Sequence, residues 1–296
     1  MSVPTIAPDA LTLLLRQLRL PSFAAYAQEV SETAEQQGWS FSAYLGHLCE
    51  QELTDRRTRR IERNLRNSDL PADKTLATLK VELLPAKIRR QLPTLCEGGF
   101  VERAENVLTF GLPGRGKTHL CAAIGHELVH QGYTVLFTPT FRLVQRLLVA
   151  KQALQLEPCL RRLDRFDVVV LDDLGYVQQD REEMEVLFTF LSERYERRSV
   201  VITSNLVFSQ WDRIFKDALT TAAAIDRLVH HATILELTGD SYRTTAAKDR
   251  NIDVPDGTDH HRALQEGGSG AVTAPGESPG DCVPEDKEPI GNSNCR

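Results

Sequence analysis

The chain has 296 residues, of which 41% are hydrophobic and 26% charged, the composition of a folded globular chain with room for one sizeable core and a smaller module. No window approaches 18 consecutive apolar residues, which argues against a membrane span, and the opening MSVPTIAPDALTLLLRQL lacks the basic start and long apolar run of a secretion signal. The net charge of −6 does not argue against a nucleic-acid partner, because ten acidic and four basic residues lie between Asp249 and Arg296 and the rest of the chain is balanced.

Residues 8 to about 70 read as helical. LTLLLRQLRL has a dense apolar face, and FSAYLGHLCEQEL repeats apolar residues at helical spacing, with Ser40 placed to cap the helix that opens at Phe41. No Gly or Pro interrupts Gln51 to Leu70, and Pro71 is a plausible end. Residues 1–70 are therefore expected to form a helical domain and 71–104 a linker and lead-in. From 105 to 248 strands and helices alternate. The strand segments are NVLTFG, YTVLFT, FDVVVLDD, SVVITSN and HATILEL; the helices are KTHLCAAIGHELVHQG, TFRLVQRLLVAKQAL and EEMEVLFTFLSERYERR. Continuous apolar strands alternating with helices predict an α/β domain of three layers, its parallel sheet covered on both faces, with ligand at the carboxyl ends of the strands. Residues 249–296 contain five prolines and seven glycines with almost no large apolar side chains, so a disordered acidic tail is expected there.

The stretch Gly111-Leu112-Pro113-Gly114-Arg115-Gly116-Lys117-Thr118, with His119 after it, is G-x-x-x-x-G-K-[ST], the phosphate-binding loop of nucleotide triphosphatases. Its glycines permit a backbone curve whose N–H groups face phosphate oxygens, and the following helix adds its positive end. Lys117 supplies a cation for the β and γ phosphates, and Thr118 a hydroxyl for Mg²⁺. The dinucleotide fingerprint G-x-G-x-x-G is not matched. VVVLDDLG runs four apolar residues into Asp172 and Asp173 at a strand's carboxyl end. Asp172 suits the Mg²⁺ shell, and Asp173 suits orienting or deprotonating the attacking water. VVITSN can bring Asn205 near the γ phosphate, although Ser-Asn after a strand is commonly a turn. Arg227 in IDRLVHHA fits an arginine finger or an ordinary surface ion pair.

Cys49, Cys96, Cys121, Cys159, Cys282 and Cys295 form no C-x-x-C pair, so inert reduced thiols are expected rather than a zinc or disulfide framework. His230 and His231 lack Cys or carboxylate partners at ligand spacing and read as ordinary helix-end residues.

In this order, the P-loop, VVVLDD, the TSN strand end and the DRL arginine resemble an AAA+ ATPase. FVERAENVL, LDDLGY, ERYERRSVVITSN, FSQW and IDRLVHHATILELTGDSYR resemble its IstB and DnaC branch, and LPSFAAYAQE with WSFSAYLGHLCEQE resembles the IstB type, the ATP-binding helpers of insertion-sequence transposition. The resemblance spans roughly residues 8 to 245. It implies loop ligands at Lys117 and Thr118, acids at Asp172 and Asp173, a sensor at Asn205, a finger at Arg227 acting across a homo-oligomer boundary, and an arginine without a fixed role at Arg243. Most AAA+ members carry Glu where Asp173 stands, so a slower turnover is implied. The branch also tends to lack the helical lid that is missing from this sequence.

Arg56, Arg57, Arg59, Arg60, Arg63 and Arg66 crowd into eleven residues, with Glu62 the one acid among them. Alone, the run fits phosphate contacts as well as a solvated or protein-gripping face. The resemblance favours contact with double-stranded DNA or a cognate transposase. No base-reading motif is present, so the DNA contact is expected to be independent of sequence. The function implied is an ATP-dependent DNA-binding helper of transposition, with ATP and Mg²⁺ as cofactors, a cytoplasmic location and no membrane partner. A helicase loader of the DnaC type is the alternative. A metabolic kinase is disfavoured because nothing resembles an acceptor pocket.

Overall fold

The computed structural model describes residues 8–174, 181–207, 210–211 and 218–238. The tail at 249–296, Arg243, and the Gly-Tyr of LDDLGY lie outside the described residues, as do Cys282 and Cys295.

Three helices open the chain: α1 (Pro8–Gln17), α2 (Pro21–Gln37) and α3 (Phe41–Arg66). Ser40 caps α3 as expected, its hydroxyl accepting from the Ala43 N–H at 3.2 Å. Leu15, Phe23 and Leu48 form a small core between the three helices. The turn between α1 and α2 is held from α3 by Glu52, only 4% exposed, which accepts the Ser22 N–H at 2.8 Å. That donor is one of the free amides of the first turn of α2, where a carboxylate also meets the helix dipole. Arg56 binds Glu52 at 2.7 Å and reaches the Arg19 carbonyl at 2.6 Å. Burial pushes the Glu52 carboxyl up, but hydrogen bonds from Arg56 and the Ser22 N–H outweigh it and hold the group below its ordinary value.

Helix α3 is long enough to serve two cores. Past Glu52 its lower half turns Ile61 and Leu65 onto the core of the α/β domain, and Asn64 donates to the Tyr133 carbonyl at 3.3 Å. The helix ends at Arg66, earlier than Pro71 suggested, and the Phe137 N–H binds the Ser68 carbonyl at 2.7 Å. Residues 71–104, expected as linker and lead-in, pack into that core. After a short 3-10 turn (Val81–Leu83) come α4 (Ala86–Glu97) and α5 (Gly99–Glu102). Leu84, Ile88, Leu92, Leu95 and Phe100 are all buried. From Leu84 to Leu95 the spacing of three to four residues is helical, but Pro93 inside α4 masks it in the sequence.

The sheet consists of β1 (Asn106–Phe110), β2 (Val135–Pro139), β3 (Val168–Asp172), β4 (Ser199–Ser204) and β5 (Ala232–Glu236), ordered β2-β3-β4-β1-β5 and parallel throughout. Alternate side chains feed two cores. Val107, Val168, Val170 and Val201 face α4 and α6 (Lys117–Gln131); Leu108, Val169, Leu171 and Ile202 face α7 (Thr140–Gln152), α8 (Leu156–Leu163) and α9 (Arg181–Arg194). Burial on both faces explains the unbroken apolar runs. Helix α10 (Ala218–Val229) precedes β5. Among the described residues no helix is long and apolar enough to cross a membrane.

Arg194, 2% exposed, ties the strand entrances together. Its guanidinium donates to the carbonyls of Leu163, Phe166, Asp167 and Ser199 at 3.0–3.2 Å. Burial pulls it down to about 10, still protonated at neutral pH. Arg194→Met should lower the unfolding free energy by about 3 kcal/mol, because four carbonyls lose a charged donor; urea unfolding measures it. Glu52 gives a pH prediction. Its folded value is depressed, so its contribution is present above the unfolded value near 4.5 and is lost as pH falls through the folded one. Protection factors of the α2 amides against hydrogen exchange, which correct for the intrinsic pH dependence of the rate, should fall on acidification in the wild type and should be low already at neutral pH in Glu52→Gln.

Candidate functional site

At the carboxyl end of the sheet, the chain leaves β1 at Phe110 and forms the loop 111–116 before entering α6. Gly114 and Gly116 hold φ of 81° and 83°, backbone that a side chain disfavours. Gly111 is needed for space, since a Cβ there would lie 2.8 Å from the Leu237 carbonyl oxygen. Gly116 also starts α6, its carbonyl accepting the Leu120 N–H at 2.9 Å, so the free amides of that helix end open on the loop. Lys117 folds its ammonium back on the loop, donating to the carbonyls of Gly111 at 2.7 Å and Leu112 at 3.2 Å.

The acid pair closes β3. The Thr118 hydroxyl donates to the Asp172 carboxylate, 2.9 Å from one oxygen and 3.1 Å from the other. The Thr203 hydroxyl, from β4, donates to the same carboxylate at 2.7 Å and accepts the Asp173 N–H at 2.9 Å. Thr140 binds the Asp172 carbonyl at 2.9 Å. Asp173 stands at φ 57°, a turn that ends the strand. Asn205 follows β4 in a turn held by Ser204, whose hydroxyl accepts the Leu206 N–H, and by the fully buried Trp211, whose indole N–H donates to the Leu206 carbonyl at 3.0 Å. The Oδ1 atom of Asn205 is buried and has no hydrogen-bond partner among the described residues.

One cleft collects most of these groups. It is lined by Pro113, Gly114, Arg115, Gly116, Lys117, Thr118, His119, Asp173 and Asn205, together with Lys74. Gly111 and Leu112 contribute carbonyls at its root, and Asp172 meets it through Thr118. Arg227 is not in the lining. It lies on α10 with its guanidinium 5.0 Å from the Phe188 ring and Nη1 on the Ala223 carbonyl at 3.2 Å.

Lys74 and Thr140 carry no motif signal in the sequence; Thr203 and Trp211 lie within TSN and FSQW, but their roles are set by contacts that the sequence does not show. Lys74 belongs to the segment that follows α3, and the same segment grips His119, whose Nε2 lies 3.1 Å from the Thr78 hydroxyl and 3.2 Å from the Thr75 carbonyl. Cys49, Cys96, Cys121 and Cys159 are free. Burial pushes the thiols of Cys96 and Cys121 up to about 12, so they stay protonated and inert.

The arginine run is less free than its sequence suggested. Besides Glu62, Glu52 one turn earlier occupies Arg56 and approaches Arg59 at 3.6 Å, and Arg66 lies 4.0 Å from Glu62. Arg57, Arg60 and Arg63 are exposed and make no ion pair among the described residues.

A P-loop between β1 and α6, facing an acid pair at the end of β3 in a five-stranded parallel sheet, defines an AAA+ P-loop ATPase. Residues 13–250 match the family described as IstB-like ATP binding protein, and the chain belongs to that family. It is 45% identical over 244 residues to an insertion sequence ATP-binding protein of Sinorhizobium fredii, covering 82% of each chain. It is 37% identical over 233 residues to the insertion sequence IS21 ATP-binding protein of Pseudomonas aeruginosa, covering 79% of this chain and 88% of the relative. Among solved structures, the replication initiator DnaA bound to AMPPCP and single-stranded DNA is similar in fold, with a TM-score of 0.51, 17% identity and coverage of 64% of this chain and 59% of that one.

Thr203→Val removes the hydroxyl shared by Asp172 and Asp173 while keeping shape. Turnover of ATP should fall about 10–100-fold with nucleotide affinity nearly unchanged; steady-state kinetics beside a fluorescent-nucleotide titration separates the two.

Proposed function

We propose that the chain is an ATP-hydrolysing helper of insertion-sequence transposition that assembles on DNA and hands its assembled state to a transposase. The observation that carries the transposition reading is the likeness, over 82% of both chains, to an insertion sequence ATP-binding protein. The engine is argued from the cleft. Lys117 would neutralise the β and γ phosphates, and the loop amides would hold their oxygens. Thr118 and Asp172 fit Mg²⁺ because both are hard oxygen donors, and their 2.9 Å separation is close to the about 3 Å between neighbouring ligands of an octahedral magnesium site. Bound there, magnesium would draw charge from the β and γ phosphate oxygens. Asp173 and Asn205, which both line the cleft, would hold the attacking water from the γ side. The water oxygen bonds to the γ phosphorus, the bond to the β–γ bridging oxygen breaks, ADP leaves and the water proton passes to Asp173.

Arg227 stands outside the cleft of its own chain, which supports a role as a finger for the nucleotide of a neighbouring copy. ATP would then sit at chain boundaries and favour assembly, and hydrolysis would release it. The exposed Arg57, Arg60 and Arg63 are the best-placed phosphate contacts of the helix, and binding through them would be independent of DNA sequence.

Arg227→Ala should retain ATP binding and lose hydrolysis by a factor of about 10³; unchanged turnover would make the arginine structural. Replacing Arg57, Arg60 and Arg63 with Gln should weaken duplex binding and flatten its dependence on salt by up to about three ions released. An unaltered salt slope, measured by fluorescence anisotropy, would move the DNA contact off this helix. Recovery of a replicative helicase and no transposase in a pull-down would overturn the transposition reading in favour of helicase loading.

A further inference from the structure

Away from the nucleotide cleft, two chain turns meet. After α9, Tyr195 and Glu196 turn the chain toward β4, and Glu196 adopts φ 56°, a left-handed conformation uncommon for a residue with a side chain. After α10, His230 and His231 lead into β5. Their backbone is fixed, with the His230 N–H on the Asp226 carbonyl at 3.0 Å and the Asn106 N–H on the His231 carbonyl at 2.8 Å. The turns bring Glu196 to the histidine pair. One ligand atom from each of the three residues lies within 4.8 Å of the others. Glu196 Oε1 is 4.0 Å from His230 Nδ1 and 4.0 Å from His231 Nε2. The carboxylate that the histidines lack in sequence is supplied by the fold from 34 residues upstream of His230.

We propose that Glu196, His230 and His231 form a surface site for a divalent transition metal of the zinc class. Two imidazoles and one carboxylate are a ligand set that zinc accepts with a fourth position left to water, whereas magnesium and calcium take all-oxygen sets. Ligand atoms around a tetrahedral zinc stand about 3.3 Å apart, given bonds of about 2.0–2.1 Å. The three side chains are half-exposed, so sub-ångström rotations close the remaining gap without moving backbone. The Tyr195 hydroxyl lies 2.9 Å from His230 Nδ1 and must give up that nitrogen to the metal. Once bound, the ion would fasten the end of α9 to the end of α10, whose last turn carries Arg227.

The test is a titration of the full chain with zinc against a chromophoric zinc chelator. One zinc per chain is expected, bound about tenfold or more tighter than by Glu196→Gln or His231→Ala. Tyr195→Phe, which removes the competing hydroxyl, should bind at least as tightly as the wild type. The tail carries a second histidine pair, so a His260→Ala, His261→Ala double variant is the control and should keep the site. Zinc should raise the Tm of the wild type and leave that of Glu196→Gln unmoved, the two proteins melting together without metal. Millimolar magnesium should not compete. Equal affinity and stoichiometry in the wild type and both ligand variants, or loss of binding only on removal of His260 and His261, would overturn the proposal.

Discussion

The Asp172 carboxylate is the junction on which the rest of the site depends. It receives one hydroxyl from the P-loop helix through Thr118 and another from β4 through Thr203. Thr203 then uses its oxygen to hold the Asp173 amide. The P-loop helix and β4 are thereby held at 2.7–3.1 Å from one carboxylate, by hydrogen bonds to a charged group worth about 1.5–3 kcal/mol each. The strand order makes this possible, because β3 lies beside β4 and β4 beside β1, so the three carboxyl ends that carry the acids, Asn205 and the P-loop are neighbours. Any change that shifts β3 against β4 by one residue would separate Thr203 from Asp172 and dismantle the acid pair. Arg194 guards that register at the opposite end of the same strands.

The helical segment at the start of the chain is built into this arrangement. The upper half of α3 closes the three-helix core through Glu52, and its lower half lies on the ATPase core through Ile61, Leu65 and Asn64. The segment that follows α3 runs to the cleft, where Thr75 and Thr78 bind His119 and Lys74 joins the lining. The arginine face and the nucleotide cleft are therefore linked by a short, packed stretch of chain, a physical route by which nucleotide and the proposed DNA contact could influence one another. Glu52 also trims the basic face: the acid that stabilises the α1–α2 turn draws Arg56 and Arg59 away from solvent partners, leaving Arg57, Arg60 and Arg63.

Much of the fold was legible because its signals are local. Five apolar strands, the glycine-rich loop and the Ser40 cap each declare themselves within a few residues. Residues 13–250 match the family that the later motifs resembled. The missed helices had local reasons: α4 contains Pro93 and α8 spans only eight residues with Pro158 in its first turn. The supporting residues of the site were not legible for a different reason. Thr203 and Thr140 act on Asp172 from 31 and 32 positions away, and neither the TSN strand end nor a single threonine or lysine announces such a contact. Glu52 and Glu196 show the same limit. Each sits in an ordinary helical or turn sequence, and its role arises only when the fold brings a helix end or a histidine pair beside it.

The proposed nucleotide site is completed by a second copy of the chain. Electron microscopy of the full chain with a non-hydrolysable ATP analogue, magnesium and duplex DNA tests this most directly. The predicted result is an assembly with nucleotide at each chain boundary, Arg227 of the neighbouring copy at the γ phosphate and the α3 arginines against the DNA backbone. A monomer with nucleotide bound and Arg227 still over Phe188, or an assembly in which Arg227 faces away from every nucleotide, would contradict it.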